Sequence, residues 1–115
     1  FNYVKDTCRG FLAIPRAEGV AGEEINIATD TEISMQDTLN LIADIMGADI
    51  SWVKDPERCR PSKSEVFRLH GCNKKITGLT DWRPQFSLRE GLAETIQWFT
   101  NPENLKKYKS NIYNR

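Results

Sequence analysis

The chain has no charge surplus of either sign: sixteen basic residues balance sixteen acidic ones, with the lone histidine neutral. Broad electrostatic capture of nucleic acid or of an anionic membrane needs a basic excess, so neither partner is expected. Long apolar runs are missing too, and none approaches the roughly 20 residues that span a bilayer. The opening "FNYV" is strand-like and unlike a secretory leader. Cysteine is scarce and odd in number, at Cys8, Cys59 and Cys72. That usage fits reduced thiols in a cytoplasmic protein better than a disulfide framework. There is no C-x-x-C pair, and Cys59, His70 and Cys72 alone are too few for a zinc site, so no metal is expected.

Catalytic signatures are absent as well. Neither G-x-G-x-x-G nor G-x-x-x-x-G-K-[ST] occurs, and no Tyr-x-x-x-Lys pair stands ready to relay a proton. His70 has no nucleophile in a readable arrangement, which leaves acyl transfer without footing. Taken alone, the residues encode no catalytic centre.

What is present reads as one small mixed α/β domain, since 115 residues suit a single domain. "FNYV" looks like a strand end. Asp6 stands as N-cap to a helix over about Thr7–Ile14 that buries Phe11, Leu12 and Ile14, and Pro15 stops it. "INIA" and "DISWVK" are short apolar or alternating stretches that predict two more strands. Between them Ser34 caps a helix with Leu39, Ile42, Ile45 and Met46 at helical spacing, closed by Gly47. A short helix is expected over Lys74–Leu79. Ser87 and Glu90 make a capping box for a helix through Phe99, with Leu88, Leu92, Ile96 and Phe99 as its buried stripe. Asn101 and Pro102 then restart a polar helical tail over 101–115. Three to four helices with two or three short strands make a sheet too small to cover them, so the fold looks incomplete.

The stretch "RPSKSEVFRLHGCNKK", residues 60–75, admits three readings: a solvated loop, a metal site or a clamp for a charged ligand. The other motifs bear on that choice. "FNYVKD" resembles the R-D-F-x-Y-V-x-D segment of the extended short-chain dehydrogenases, the NAD-dependent nucleotide-sugar epimerases and dehydratases. "GEEINIA" is similar to their G-E-x-Y-N-I-G, and "ISMQDTLNLIADIMG" to the helix after it. "RPSKSEVFRLHGCNKK" resembles R-P-x-x-x-E-V-x-R-L-x-G-D-x-x-K, and "LTDWRPQFSLREGLAETIQWF" resembles L-G-W-x-P-x-x-S-L-E-E-G-L-x-x-T-I-x-W. Five landmarks in order cover nearly the whole chain. The tail "WFTNPENLKKYKSNIYN" looks most like the legionaminic-type 4,6-dehydratases.

The resemblance implies that residues 1–100 are the C-terminal substrate-binding lobe of such an enzyme, without the part that carries NAD and the catalytic Tyr-x-x-x-Lys. No cofactor is expected on this chain itself; NAD belongs to the parent family. A nucleotide sugar would be the ligand, with Arg60 at the family position for the diphosphate and Glu65 at the position for the ribose hydroxyls. A guanidinium can meet two phosphate oxygens at once. Arg68 either shares in binding or supports the loop by pairing with a carboxylate, and His70 is a turn residue. Alone the lobe would not catalyse. The alternative is a free-standing protein derived from such a lobe, a homodimer that covers the face the missing part would cover. The family patterns differ here at Ala28, which replaces a glycine, and at Cys72, which replaces an aspartate that Asn73 would have to substitute as cap.

Overall fold

Helices appear where the sequence supplies both an apolar stripe and an end signal. A computed structural model of the chain describes residues 1–51, 53 and 66–108. In chain order it contains α1 (Val4–Ala13), a 3₁₀ turn (Ile14–Arg16), α2 (Met35–Met46), α3 (Lys74–Leu79), α4 (Leu88–Thr100) and α5 (Pro102–Leu105). Ser34 caps α2 by accepting from the Asp37 amide at 3.0 Å. Gly47 closes the same helix at φ 60°, and the Ala48 amide reaches back to the Ala43 carbonyl at 3.1 Å. That is the left-handed exit glycine adopts without penalty. At α4 both halves of the Ser87/Glu90 capping box are made. Asn101 caps α5 by accepting from the Glu103 amide at 3.0 Å, ahead of Pro102.

Two expectations fail at the N-terminus. "FNYV" does not end a strand, because α1 already begins at Val4 with Tyr3 in the cap position. Asp6 is therefore no cap. It sits in the first turn, where a negative charge suits the helix dipole, and spends its carboxylate elsewhere. Pro15 does end α1, after which the chain continues for three residues as the 3₁₀ turn.

No β-strand forms among the described residues, so the expected two or three short strands are not seen. Trp52 and Lys54, part of the "DISWVK" expectation, lie outside those residues. For "INIA" the reason is physical: a strand exists only through a ladder partner. Ile25–Ala28 takes no regular structure, and the Ile27 carbonyl accepts from a side chain, Asn2 Nδ2, at 2.5 Å. The segment lies tight against α1 at Gly10, where an added Cβ would come within 2.7 Å of the Ile27 side chain. On its other side, a Cβ on Gly71 would stand 2.7 Å from that of Ala28. The alanine at 28 thus coexists with the absence of a side chain at 71. Asn73 does occupy the N-cap of α3, though its side chain makes no capping bond.

Among the described residues the buried apolar side chains are only Ile76 and Trp82. Phe11 and Leu12 were expected inside; they are 66% and 61% exposed. Periodicity marks a stripe but does not say which face of a helix has a neighbour. α1 instead buries Asp6 and Gly10, one turn apart, while Val4, Cys8, Phe11 and Leu12 share a solvent-facing side. Elsewhere α2 packs on α4, with Leu39, Ile42 and Ile45 half-buried and Met46 exposed. The Arg89–Asp44 pair at 2.7 Å bridges the same two helices.

Asp6 is 1% exposed. Its carboxylate accepts from the amides of Gln85 and Phe86, both at 3.1 Å, and from Arg9 Nη1 at 2.5 Å. Its backbone carbonyl accepts from Trp82 Nε1 at 2.9 Å, and Arg9 Nη2 donates to the Arg83 carbonyl at 2.9 Å. Removing the carboxylate strands two amides and a guanidinium together. Asp6→Ala should therefore cost about 3 kcal/mol in urea unfolding, against about 0.5 kcal/mol or less for Asp44→Ala in its exposed pair. Equal losses would show that Asp6 is not the organising contact.

Candidate functional site: a guanidinium fork beside an aromatic-walled cleft

The turn that Asp6 holds, residues 84–87, forms one wall of a cleft of about 580 Å³. Residues 1–3 and the stretch around Thr29–Ile33 supply other walls, and the Gly91, Leu92 and Thr95 side of α4 also lines it. Tyr3 lies against Gly91, where an added Cβ would be 2.9 Å from its own Cβ. Its ring meets Phe86 edge-on, with centroids 4.8 Å apart.

The Tyr3 hydroxyl donates to Glu94 Oε2 at 2.6 Å, and Lys5 donates to the same oxygen. Two donors on one oxygen favour the ionised acid. Glu94 is accordingly held below the usual carboxylate range, by Lys5 first and then by Tyr3. The bond to Glu94 in turn raises the Tyr3 phenol above its ordinary value. Lys5 Nζ also lies 5.7 Å from the centroid of the Phe86 ring, within cation–π reach.

A second recess, of about 440 Å³, is lined by Glu32, Arg68 and His70. Glu32 lines both openings. Arg68 forks onto it, Nε to Oε1 at 3.2 Å and Nη2 to Oε2. The hydrogen bond from Arg68 lowers the Glu32 carboxyl, and the same contact raises the guanidinium further. Two residues along each segment, His70 Nε2 faces Asp30 Oδ1 at 3.2 Å. Asp30 takes φ 58°, a left-handed turn that aspartate tolerates better than most residues. Residues 28–32 and 68–71 thus run antiparallel, with side chains paired at 30/70 and 32/68, Ala28 close to the bare backbone of Gly71, and no backbone hydrogen bond between the two segments among those described.

Of the expected site residues, Arg60 and Glu65 lie outside the described residues. Arg68 is placed on Glu32. His70, read as a turn residue, faces a carboxylate. Glu32 and Asp30 were missed, although the signal is in the sequence: acids two apart in "DTE" and bases two apart in "RLH" suit an antiparallel pairing. Cys59 is likewise outside the described residues, and among those described no three potential ligands gather around a metal position. No helix of the described residues is long and apolar enough to cross a membrane.

Comparison with known proteins gives the setting. The chain is 30% identical to human (Homo sapiens) dTDP-D-glucose 4,6-dehydratase over 96% of its own length and 31% of the enzyme's. It is 31% identical to UDP-glucose 4-epimerase of Mycolicibacterium smegmatis over 88% of this chain and 31% of that one. For GDP-6-deoxy-D-mannose reductase of Pseudomonas aeruginosa the figures are 27%, 84% and 31%. No family model and no solved structure matches the chain. Its relatives at about 30% identity thus include nucleotide-sugar epimerases and dehydratases, and it spans about a third of their length.

The Glu94 contact carries a pH signature. A depressed folded-state pKa stabilises above the unfolded value, about 4.3, and that stability is lost as pH falls through the folded value. The stability gap between the natural chain and Glu94→Gln should therefore be open near neutral pH and close on acidification below about pH 4. Urea midpoints across that range check it; a gap independent of pH would mean that the charge of Glu94 is not what matters.

Proposed function

We propose that this chain is the substrate-recognition part of an NAD-dependent nucleotide-sugar 4,6-dehydratase or epimerase, and that it holds the nucleoside diphosphate. One observation carries the reading: nearly all of the chain aligns with about a third of enzymes named for dTDP-, UDP- and GDP-sugars. The parent enzyme would oxidise the sugar at C4 by hydride transfer to NAD, and a dehydratase would then lose water across C5 and C6. Both steps belong to the other two thirds.

Arg60 is assigned to the diphosphate and Glu65 to the ribose hydroxyls, on the sequence pattern alone. Arg68, eight residues after Arg60 in the sequence, is paired with Glu32. Within the family the tail over residues 98–114 favours the legionaminic-type 4,6-dehydratases. The protein is assigned to the cytoplasm on its cysteine usage.

The exposed side of α1, with Val4, Phe11 and Leu12, supports a second reading. In a full enzyme that side would rest on the remaining two thirds. In a free-standing, non-catalytic protein it would drive homodimer formation. The reading frame around the Phe1 codon separates the two. The first expects about 200 upstream codons with a glycine-rich βα turn and a Tyr-x-x-x-Lys. A start codon beside Phe1 would favour the second, which a strictly monomeric mass at micromolar concentration would in turn remove.

On the chain itself, nucleoside diphosphate binding should be weak, because half of the parent pocket lies elsewhere. A shielded charge-assisted bond contributes roughly 1.5–3 kcal/mol, so Arg60→Ala should weaken calorimetric affinity for UDP by about tenfold or more. His70→Ala should leave it near the natural value. Equal losses in the two variants would refute the assignment of Arg60.

A further inference from the structure

Glu32 stands where a ligand anion would have to stand. The Arg68 side chain is 82% exposed, and its hydrogen bonds among the described residues are the two it donates to Glu32. A guanidinium has five N–H donors, so three have no partner among the described residues, and the side chain lines the recess. The carboxylate it holds lines both openings. Moving that one side chain would free the fork and open the recess toward the aromatic-walled cleft. Little else depends on the pair, since Ala28 also lies close to Gly71 between the same two segments.

We infer that Glu32 is a built-in competitor for the guanidinium of Arg68, which makes the recess a selective site for the diphosphate of a nucleotide ligand. The inference rests on the nucleoside diphosphate reading above and adds a second anchor and a selectivity filter to it. The physical basis is competition. A carboxylate tethered on the facing segment acts at an effective concentration in the millimolar range. A free carboxylate offers the same charge and geometry and gains nothing by exchange. A diphosphate brings more charge and more acceptor oxygens to the same planar fork, and it can displace the tethered acid. Displacement is easy because an ion pair this exposed contributes little to stability. Glu32 thus selects against monoanions without needing to touch the ligand.

The test is calorimetric titration of the natural chain, Glu32→Gln, Arg68→Ala and the double variant with UDP, inorganic pyrophosphate and acetate. Glutamine keeps the size of the side chain and removes its charge. Glu32→Gln should bind UDP and pyrophosphate about threefold to fivefold more tightly, and the gain should vanish in the double variant. Acetate should bind measurably only after Glu32 is neutralised. Unchanged or weaker UDP binding in Glu32→Gln, or a gain that survives loss of Arg68, overturns the inference. If UDP still depends on Arg60 in that case, the nucleotide reading stands without it. If pyrophosphate shows the Arg68-dependent gain while UDP binds no better than pyrophosphate, the fork is real and the nucleotide reading falls. Absence of binding in every variant removes both.

Discussion

Burying a carboxylate is costly unless each of its lone pairs finds a donor. Asp6 meets that condition with partners distant in sequence: two backbone amides at 85 and 86, and the neighbouring Arg9. Its location follows from α1, whose first turn carries it inward on the same face as Gly10. The consequences spread from there. The turn at 84–87 is held by those amide bonds, so α4 starts at Ser87 in a fixed place relative to α1. Tyr3, three residues before Asp6, then falls against Gly91 and can reach Glu94. The aromatic wall of the cleft is therefore an outcome of one buried charge and its donors.

Polar contacts dominate elsewhere too. Lys75 pairs with Glu23 to tie the glycine-bearing loop to α3, and Arg89 ties α4 to α2. With only two apolar side chains fully enclosed among the described residues, hydrophobic burial contributes less than is usual in a domain of this size. Every buried side-chain polar atom among these residues has a partner. Such a framework fixes geometry more than it supplies stability, because the net gain per hydrogen bond is small. That suits a segment spanning about a third of its relatives.

What was legible in the sequence was whatever local chemistry decides. The ends of α2, α4 and α5 were readable because Ser34, Gly47, Ser87 with Glu90, and Asn101 with Pro102 act within a few residues of themselves. Asp6 was misread for the complementary reason. An aspartate ahead of a helical stretch suits a cap, and nothing nearby reveals amides 79 and 80 positions away. The buried face of α1 was misjudged likewise, since Phe11 and Leu12 form a proper stripe whose neighbour is not in the described residues. At the site, Arg68 was found with its two roles open, while Glu32 and Asp30 went unnoticed. Their meaning depends on a segment more than thirty residues further on, visible only as complementary charge spacing.

The glycines at 10, 71 and 91 stand where the backbone meets a side chain from elsewhere, at Ile27, Ala28 and Tyr3 respectively. Large apolar residues such as Phe11 and Leu12 meet solvent instead. For the stability of this chain by itself, the usual ranking of sensitive positions is therefore inverted. A single methyl group added at one of these three glycines would force the facing residue, Ile27, Ala28 or Tyr3, to shift. Deleting a whole aromatic ring at position 11 would leave them where they are. Drift in such a sequence would erase the conspicuous residues first and the smallest ones last.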